Sequence, residues 1–191
     1  MNKNSNSETD GGITRRQLLK TGLITAVSAI VPYEAVDATA YILSNTRKLR
    51  IFNLHTKEYF DSPYWMNGGY MPEAVKSLEH MFRDHYNGSE RRIDPKLLDL
   101  LYSIQKKTGI NEPFHLISGY RSPDTNARLR SSNRGVAKKS LHMYGKAADI
   151  RLPGLSLKKL RRVAYELKAG GVGYYPRSNF VHVDVGRVRY W

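Results

Sequence analysis

Phe180-Val181-His182-Val183-Asp184-Val185 decides how this chain is read. Three valines alternate with one histidine and one aspartate. In a strand, residues two apart point to the same face. Val181, Val183 and Val185 therefore face a core, while His182 and Asp184 project together from the opposite face. A polar pair on an apolar-backed strand is expected where a sheet face meets a cleft.

Working outward, Val172 to Tyr175 reads as the partner strand, joined to Phe180 by a Pro-Arg-Ser-Asn turn. Upstream, Ser140-Leu-His-Met-Tyr-Gly-Lys-Ala-Ala-Asp149 places His142 and Asp149 seven positions apart, around Gly145. Ala147 to Leu152 reads as a strand carrying Asp149, with Ile150 on its other face. An imidazole nitrogen and a carboxylate oxygen both suit zinc, which takes such donors at about 2.0–2.2 Å. His182, from a distant strand, makes a third candidate ligand. Three protein ligands would leave one tetrahedral position for water, the catalytic rather than the closed structural arrangement.

Helical spacing marks three segments between the strands. Pro72-Glu73 opens a helix to about Tyr86, Asp94-Pro95 one to Thr108 stopped by Gly109, and Ser156 caps one over Leu157–Lys168. A short helix is expected around Asp124–Leu129 and a basic loop over Arg130–Lys139. Arg47–Asn53, a strand near Tyr59 and Phe114–Ser118 supply the remaining strands. Asp61–Met71, rich in Gly, Pro, Asn and aromatics, reads as a loop. The expected fold class is α+β: a small, largely antiparallel sheet with helices packed on one side.

Composition narrows the chemistry. The 191 residues contain no cysteine, which excludes thiolate metal sites, disulfides and thiol nucleophiles. The net charge is +14. Residues 1–40 hold four basic residues (Lys3, Arg15, Arg16, Lys20) and four acidic ones (Glu8, Asp10, Glu34, Asp37), so the rest of the chain carries that charge. Such a field favours an anionic partner: nucleic acid, a membrane surface or an anionic polymer such as cell wall.

Thr14-Arg15-Arg16-Gln17-Leu18-Leu19-Lys20 precedes a short apolar run, Leu23–Val31, then Pro32 and small residues at Ala35, Ala38 and Ala40. That is the build of a signal peptide, and the paired arginines resemble a twin-arginine export signal. The run is about half of the roughly 20 residues a membrane span needs, so no stable membrane insertion is expected after cleavage. The expected division is a leader over 1–40 and one folded domain over 41–191. Export into the periplasm, and the lack of any nucleic-acid motif, argue against a nucleic-acid binder.

Several ordered blocks carry a family resemblance. Ser118-Gly119-Tyr120-Arg121-Ser122, then Ser140-Leu141-His142 with Gly145 and Asp149, then Phe180–Asp184, resemble the zinc-peptidase group of D-Ala-D-Ala carboxypeptidases, lysostaphin-type enzymes and Hedgehog. Arg134–Ser140 and Gly170–His182 resemble, more narrowly, the exported murein endopeptidases of the MepK type. The resemblance spans roughly residues 47–191. It implies zinc held by His142, Asp149 and His182, with Arg121 polarising the scissile carbonyl. It also implies peptidoglycan stem peptides as substrate. The excess of Lys and Arg, with Tyr144, Tyr174 and Tyr175, is expected to hold that anionic glycopeptide.

The base is the weak point. Relatives place a His two residues, or a Glu/Asp three residues, before the last ligand. Phe180 and Asn179 stand there. Asp184 is the nearest replacement, as general base or as a group that orients His182. That departure leaves open a non-catalytic, zinc-containing module that binds cell wall.

Overall fold

The structure, a computed structural model, describes Met1, residues 45–132 and residues 135–191. The leader read over 1–40 lies, Met1 apart, outside the described residues. Strand β1, Thr46–Asn53, buries every second residue from Leu49 on. It pairs antiparallel with β2, Tyr59–Met66, across a bulge between Arg47 and Lys48. Asn67 and Gly68, at φ 53 and 88, turn the chain into β3, Gly69–Tyr70. Two successive residues of positive φ match the sense of twist in a tight hairpin. Asp61–Met71 is therefore mostly hairpin and not the expected loop. Pro63 obscured it, and the strand tolerates that proline opposite Lys48, beside the bulge.

Helix α1, Pro72–Met81, starts with proline at its first turn. It ends five residues before the expected Tyr86. Phe82 is fully buried there, and its carbonyl leaves the helix to accept the Tyr120 N–H at 2.7 Å. Helix α2, Pro95–Thr108, is capped by the Asp94 carboxylate on the Lys96 N–H and stopped by Gly109 in the left-handed region. It buries Leu97, Leu98, Leu100, Leu101 and Ile104. Next come β4, Phe114–Ser118; α3, Pro123–Ser132; a single 3-10 turn, Leu141–Tyr144; and β5, Ala147–Arg151. Helix α4, Leu157–Glu166, follows its Ser156 cap. Strands β6, Gly171–Tyr175, β7, Phe180–Asp184, and β8, Arg189–Tyr190, complete the sheet.

The strand order is β3-β2-β1-β4-β5-β7-β6-β8. Most neighbours are antiparallel, but β1 with β4 and β6 with β8 run parallel. The class is α+β as expected, and the sheet is mixed and eight strands wide rather than small and antiparallel. A parallel pair needs a crossover between its strands. The segment carrying α1 and α2 makes that connection between β1 and β4.

The two sheet faces divide the work. Leu49, Ile51, Phe114, Leu116, Ala148, Ile150, Val181, Val183 and Val172 meet the apolar sides of α1, α2 and α4 in one core. Helix α3 stays outside it and buries only Thr125 and Asn126. The opposite face, between β4 and β6, carries the polar residues described next. Among the described residues, no helix is long and apolar enough to cross a membrane.

Candidate metal centre and cleft

Asp149 on β5 stands directly opposite His182 on β7, and Ala147 opposite Asp184. Because Ala148 and Ile150 point into the core, Asp149 must point out of it. His142 arrives from the 3-10 turn. Gly145, at φ 63, closes that turn so tightly that a Cβ there would run into the Arg92 carbonyl. Glycine is the residue that tolerates both conditions.

Three ligand atoms converge. His142 Nε2 lies 3.2 Å from Asp149 Oδ1 and 3.2 Å from His182 Nδ1, and His182 Nδ1 lies 2.9 Å from Asp149 Oδ1. Bonds of about 2.0–2.1 Å at tetrahedral angles put neighbouring zinc ligands about 3.3 Å apart, so the triangle is of the right size. Among the described residues it is also the only cluster of three such groups. His142, Asp149 and His182 are 1%, 2% and 8% exposed.

The far side of each ligand is held. His142 Nδ1–H donates to the Gly119 carbonyl at 2.6 Å, which leaves Nε2 as the lone-pair nitrogen. His182 Nε2–H donates to Asp184 Oδ2 at 3.0 Å, which turns Nδ1 toward the cluster. Asp149 Oδ2 is in direct contact with Arg121 Nη2. Outer partners of this kind fix the ring orientation and the tautomer of a metal-ligating histidine.

Electrostatics agree with a cation at the centre. Burial pushes the His142 imidazole below its ordinary range, only partly offset by Asp149. Burial opposes charge on His182 too, but its bonds to Asp149 and Asp184 outweigh that and raise it. Burial would raise the Asp149 carboxyl, yet His142 and His182 hold it well below the carboxylate range. The cluster therefore keeps a carboxylate and welcomes one positive charge, which suits donors that must bind a cation deprotonated.

Asp184 does not meet the requirements of a proton shuttle. It is fully buried, and its carboxylate accepts from His182, from Arg189 at 2.7 and 3.1 Å, and from the Gly171 and Gly186 N–H groups at 3.0 and 2.9 Å. Burial works to raise it, but these donors hold it far below the carboxylate range. It lies on the same sheet face as His182 and holds the ring from its Nε2 side, the side away from the ligand atom Nδ1.

Arg121 sits beyond the end of β4, 15% exposed at its side chain. Its Nε–H donates to Ser118 Oγ at 2.9 Å, and Nη1 bonds to none of the described residues. The three expected substrate tyrosines separate. Tyr175 lies on the metal face, stacked on Phe180 at 4.6 Å. Tyr144 is exposed at the end of the 3-10 turn, with Arg91 5.9 Å from its ring. Tyr174 pairs with Val181 and packs against the core under Arg161, so it points away from the cleft.

Sequence reasoning passed over Ser118, Arg189 and Trp191. The Trp191 ring lies 5.3 Å from the His182 ring. Only the basic and aromatic character of Arg187–Trp191 hinted at such a role.

The α+β fold is consistent with the M15 peptidases. The family profile described as Peptidoglycan L,D-endopeptidase MepK matches residues 42–191, and the chain belongs to that family. Peptidoglycan L,D-endopeptidase MepK of Escherichia coli (strain K12) is 45% identical over 177 residues, covering 93% of this chain and 96% of that protein. The protein of the same name in Shigella flexneri matches equally. The Probable peptidoglycan L,D-endopeptidase MepK of Haemophilus influenzae is 39% identical over 178 residues, covering 93% and 95%. The chain is accordingly a peptidase, and the reading as a non-catalytic wall-binding module gives way.

Proposed function

We propose that this chain is an exported, zinc-dependent endopeptidase that hydrolyses peptide cross-links of peptidoglycan during growth or remodelling of the wall. The observation that carries the zinc is the triangle of His142 Nε2, Asp149 Oδ1 and His182 Nδ1, 2.9–3.2 Å on each side with every outer atom held. The relatives' shared name supports the substrate. Between D-alanyl–diaminopimelate and diaminopimelyl–diaminopimelate cross-links, the words L,D-endopeptidase in the relatives' names favour the second.

When bound, zinc would supply a Lewis acid that polarises the scissile carbonyl and lowers the pKa of water toward about 7. The chain's own residues do the rest. Arg121 is fixed by Ser118 and Asp149, and its remaining N–H groups stabilise the negative charge that develops on the carbonyl oxygen. Asp184 positions His182. With its lone pairs occupied, proton transfer to the leaving amine falls to solvent. The positive field, Tyr175 on the metal face and the exposed Tyr144 hold a carboxylate-rich glycopeptide.

Residues 1–40 serve as a twin-arginine leader, and the peptidase works in the periplasm. Arg15→Lys with Arg16→Lys should leave the protein in the cytoplasm, as fractionation would show. For the activity, zinc-loaded protein is incubated with purified sacculi and the products are read by mass spectrometry. Loss of cross-linked muropeptide dimers is expected. No change in the muropeptide profile would overturn the reading.

A further inference from the structure

Trp191 is placed as a ligand-facing group is placed, although nothing in the metal cluster uses it. Gly173 on β6 stands opposite His182 on β7, so its open side lies on the metal face. The Trp191 indole fills that opening. A Cβ on Gly173 would come within 2.6–2.8 Å of the ring atoms Cε2, Cζ2 and Nε1.

The residue is held from several sides. Its N–H donates to the Val172 carbonyl at 3.2 Å, and its carbonyl accepts the Tyr174 N–H at 3.0 Å. Its Nε1–H donates to the Tyr175 hydroxyl at 2.7 Å. The Arg189 guanidinium, which grips Asp184, lies 5.0 Å from the ring centroid.

A ring so constrained would ordinarily be buried, yet Trp191 is 45% exposed. Its indole N–H already has a partner in the Tyr175 hydroxyl, so what the ring offers a ligand is apolar contact. A rigid indole loses little conformational freedom on binding and offers a large contact area, which is why tryptophan is enriched at binding hot spots. The Tyr175–Phe180 stack continues the aromatic surface along the β6–β7 hairpin.

We propose that Trp191, oriented by Tyr175 and seated on Gly173, is the wall of the substrate cleft beside His182. Its occupant is the aliphatic side-chain surface of the substrate peptide flanking the scissile bond. This rests on the peptidoglycan endopeptidase reading and adds to it a specificity-determining residue.

The chain contains two tryptophans, and the other, Trp65, lies under Arg47 on β2. In a Trp65→Phe protein, the emission of Trp191 should shift and saturate as uncross-linked disaccharide tetrapeptide is added, a readout that needs no turnover. In the otherwise wild-type protein, Trp191→Ala should raise KM for cross-linked muropeptide dimers on the order of tenfold, with kcat and zinc content little changed. Trp191→Phe should recover most of that loss. If Trp191→Ala does not fold, Gly173→Ala displaces the ring without removing it and should raise KM likewise. An unchanged emission, or a KM that none of these substitutions moves, overturns the proposal while wild-type hydrolysis of sacculi stands. A wild type inert on sacculi overturns the endopeptidase reading and this inference together.

Discussion

Asp149 and His182 face one another across β5 and β7 with their ligand atoms 2.9 Å apart, while Arg121 holds the other oxygen of Asp149. One carboxylate thus joins the candidate metal position to the Arg121 guanidinium. Removing bound zinc should therefore loosen the whole cleft. At free zinc one hundred times its Kd, binding contributes about 2.7 kcal/mol to stability. For a domain of this size that corresponds to about 5–10 °C in Tm. Calorimetry with and without chelator measures it, and an unchanged Tm would argue against a bound ion.

Asp184→Asn separates two roles for one residue. A positioning group behind His182 predicts zinc affinity lowered by about 10- to 100-fold, with turnover largely restored at saturating zinc. A general base predicts unchanged affinity and lost turnover. Zinc competition titration beside kinetics at saturating metal decides, and the burial of Asp184 beneath five donors leads us to expect the first result.

Arg121→Ala should lower kcat by about 10²–10³, the usual cost of removing a donor from a developing oxyanion. Arg121→Lys keeps the charge but cannot reach Ser118 and Asp149 with one planar fork, so it should recover only part of the loss. Equal activity of all three proteins would remove Arg121 from the mechanism.

Gly171→Ala should damage the centre without touching a ligand. A Cβ there would strike Asp184 Oδ2 and the Arg189 guanidinium, the pair that holds His182. Reduced zinc affinity is expected, whereas Gly173→Ala should spare the metal and weaken substrate binding. Reversal of the two phenotypes would contradict the arrangement of β6.

Glu58 provides a pH test remote from the metal. Its carboxylate accepts two hydrogen bonds from Arg83, at 2.7 and 2.9 Å, and one from Thr56. The Arg83 bonds lead in pulling its pKa down to about 2. A lowered folded-state pKa stabilises the protein above the unfolded value and ceases to do so as pH falls through the folded one. The destabilisation by Glu58→Gln should therefore be full at pH 7 and shrink progressively from about pH 4.5 to about pH 2. Urea midpoints of both proteins across that range measure it, and a pH-independent difference would refute the linkage.

Much of the fold was legible because its strands and helices are strongly periodic. Phe114–Ser118 and Phe180–Asp184 fall where alternation places them, and the Asp94 and Gly109 caps mark both ends of α2. The convergence of His142, Asp149 and His182 was legible too, since two strand-borne ligands must face away from Ile150, Val181 and Val183. What stayed hidden depends on distant partners. The stop at Met81 comes from Tyr120 taking the Phe82 carbonyl, and β8 is recognisable only once it lies along β6. Alternation along Val172–Tyr175 already sets Tyr174 and Tyr175 on opposite faces, but only the pairing of β6 with β7 tells which of them shares the face of His182. Asp184 looked available because its acceptors are filled by Arg189, Gly171 and Gly186, none of them readable as partners from spacing alone.

The strict alternation of β5 and β7 also limits how this site can change by descent. Each ligand is flanked by residues committed to the core, so inserting or deleting one residue in either strand would exchange the two faces. Aliphatic side chains would then line the cleft, and charged ones would enter the interior. Viable length changes within these strands must come in twos or be absorbed by a bulge, as the Arg47–Lys48 irregularity is on β1. Diversification is thereby diverted to the connections, the 3-10 turn and the β6–β7 hairpin, where cleft walls can be rebuilt while the cation position is inherited intact.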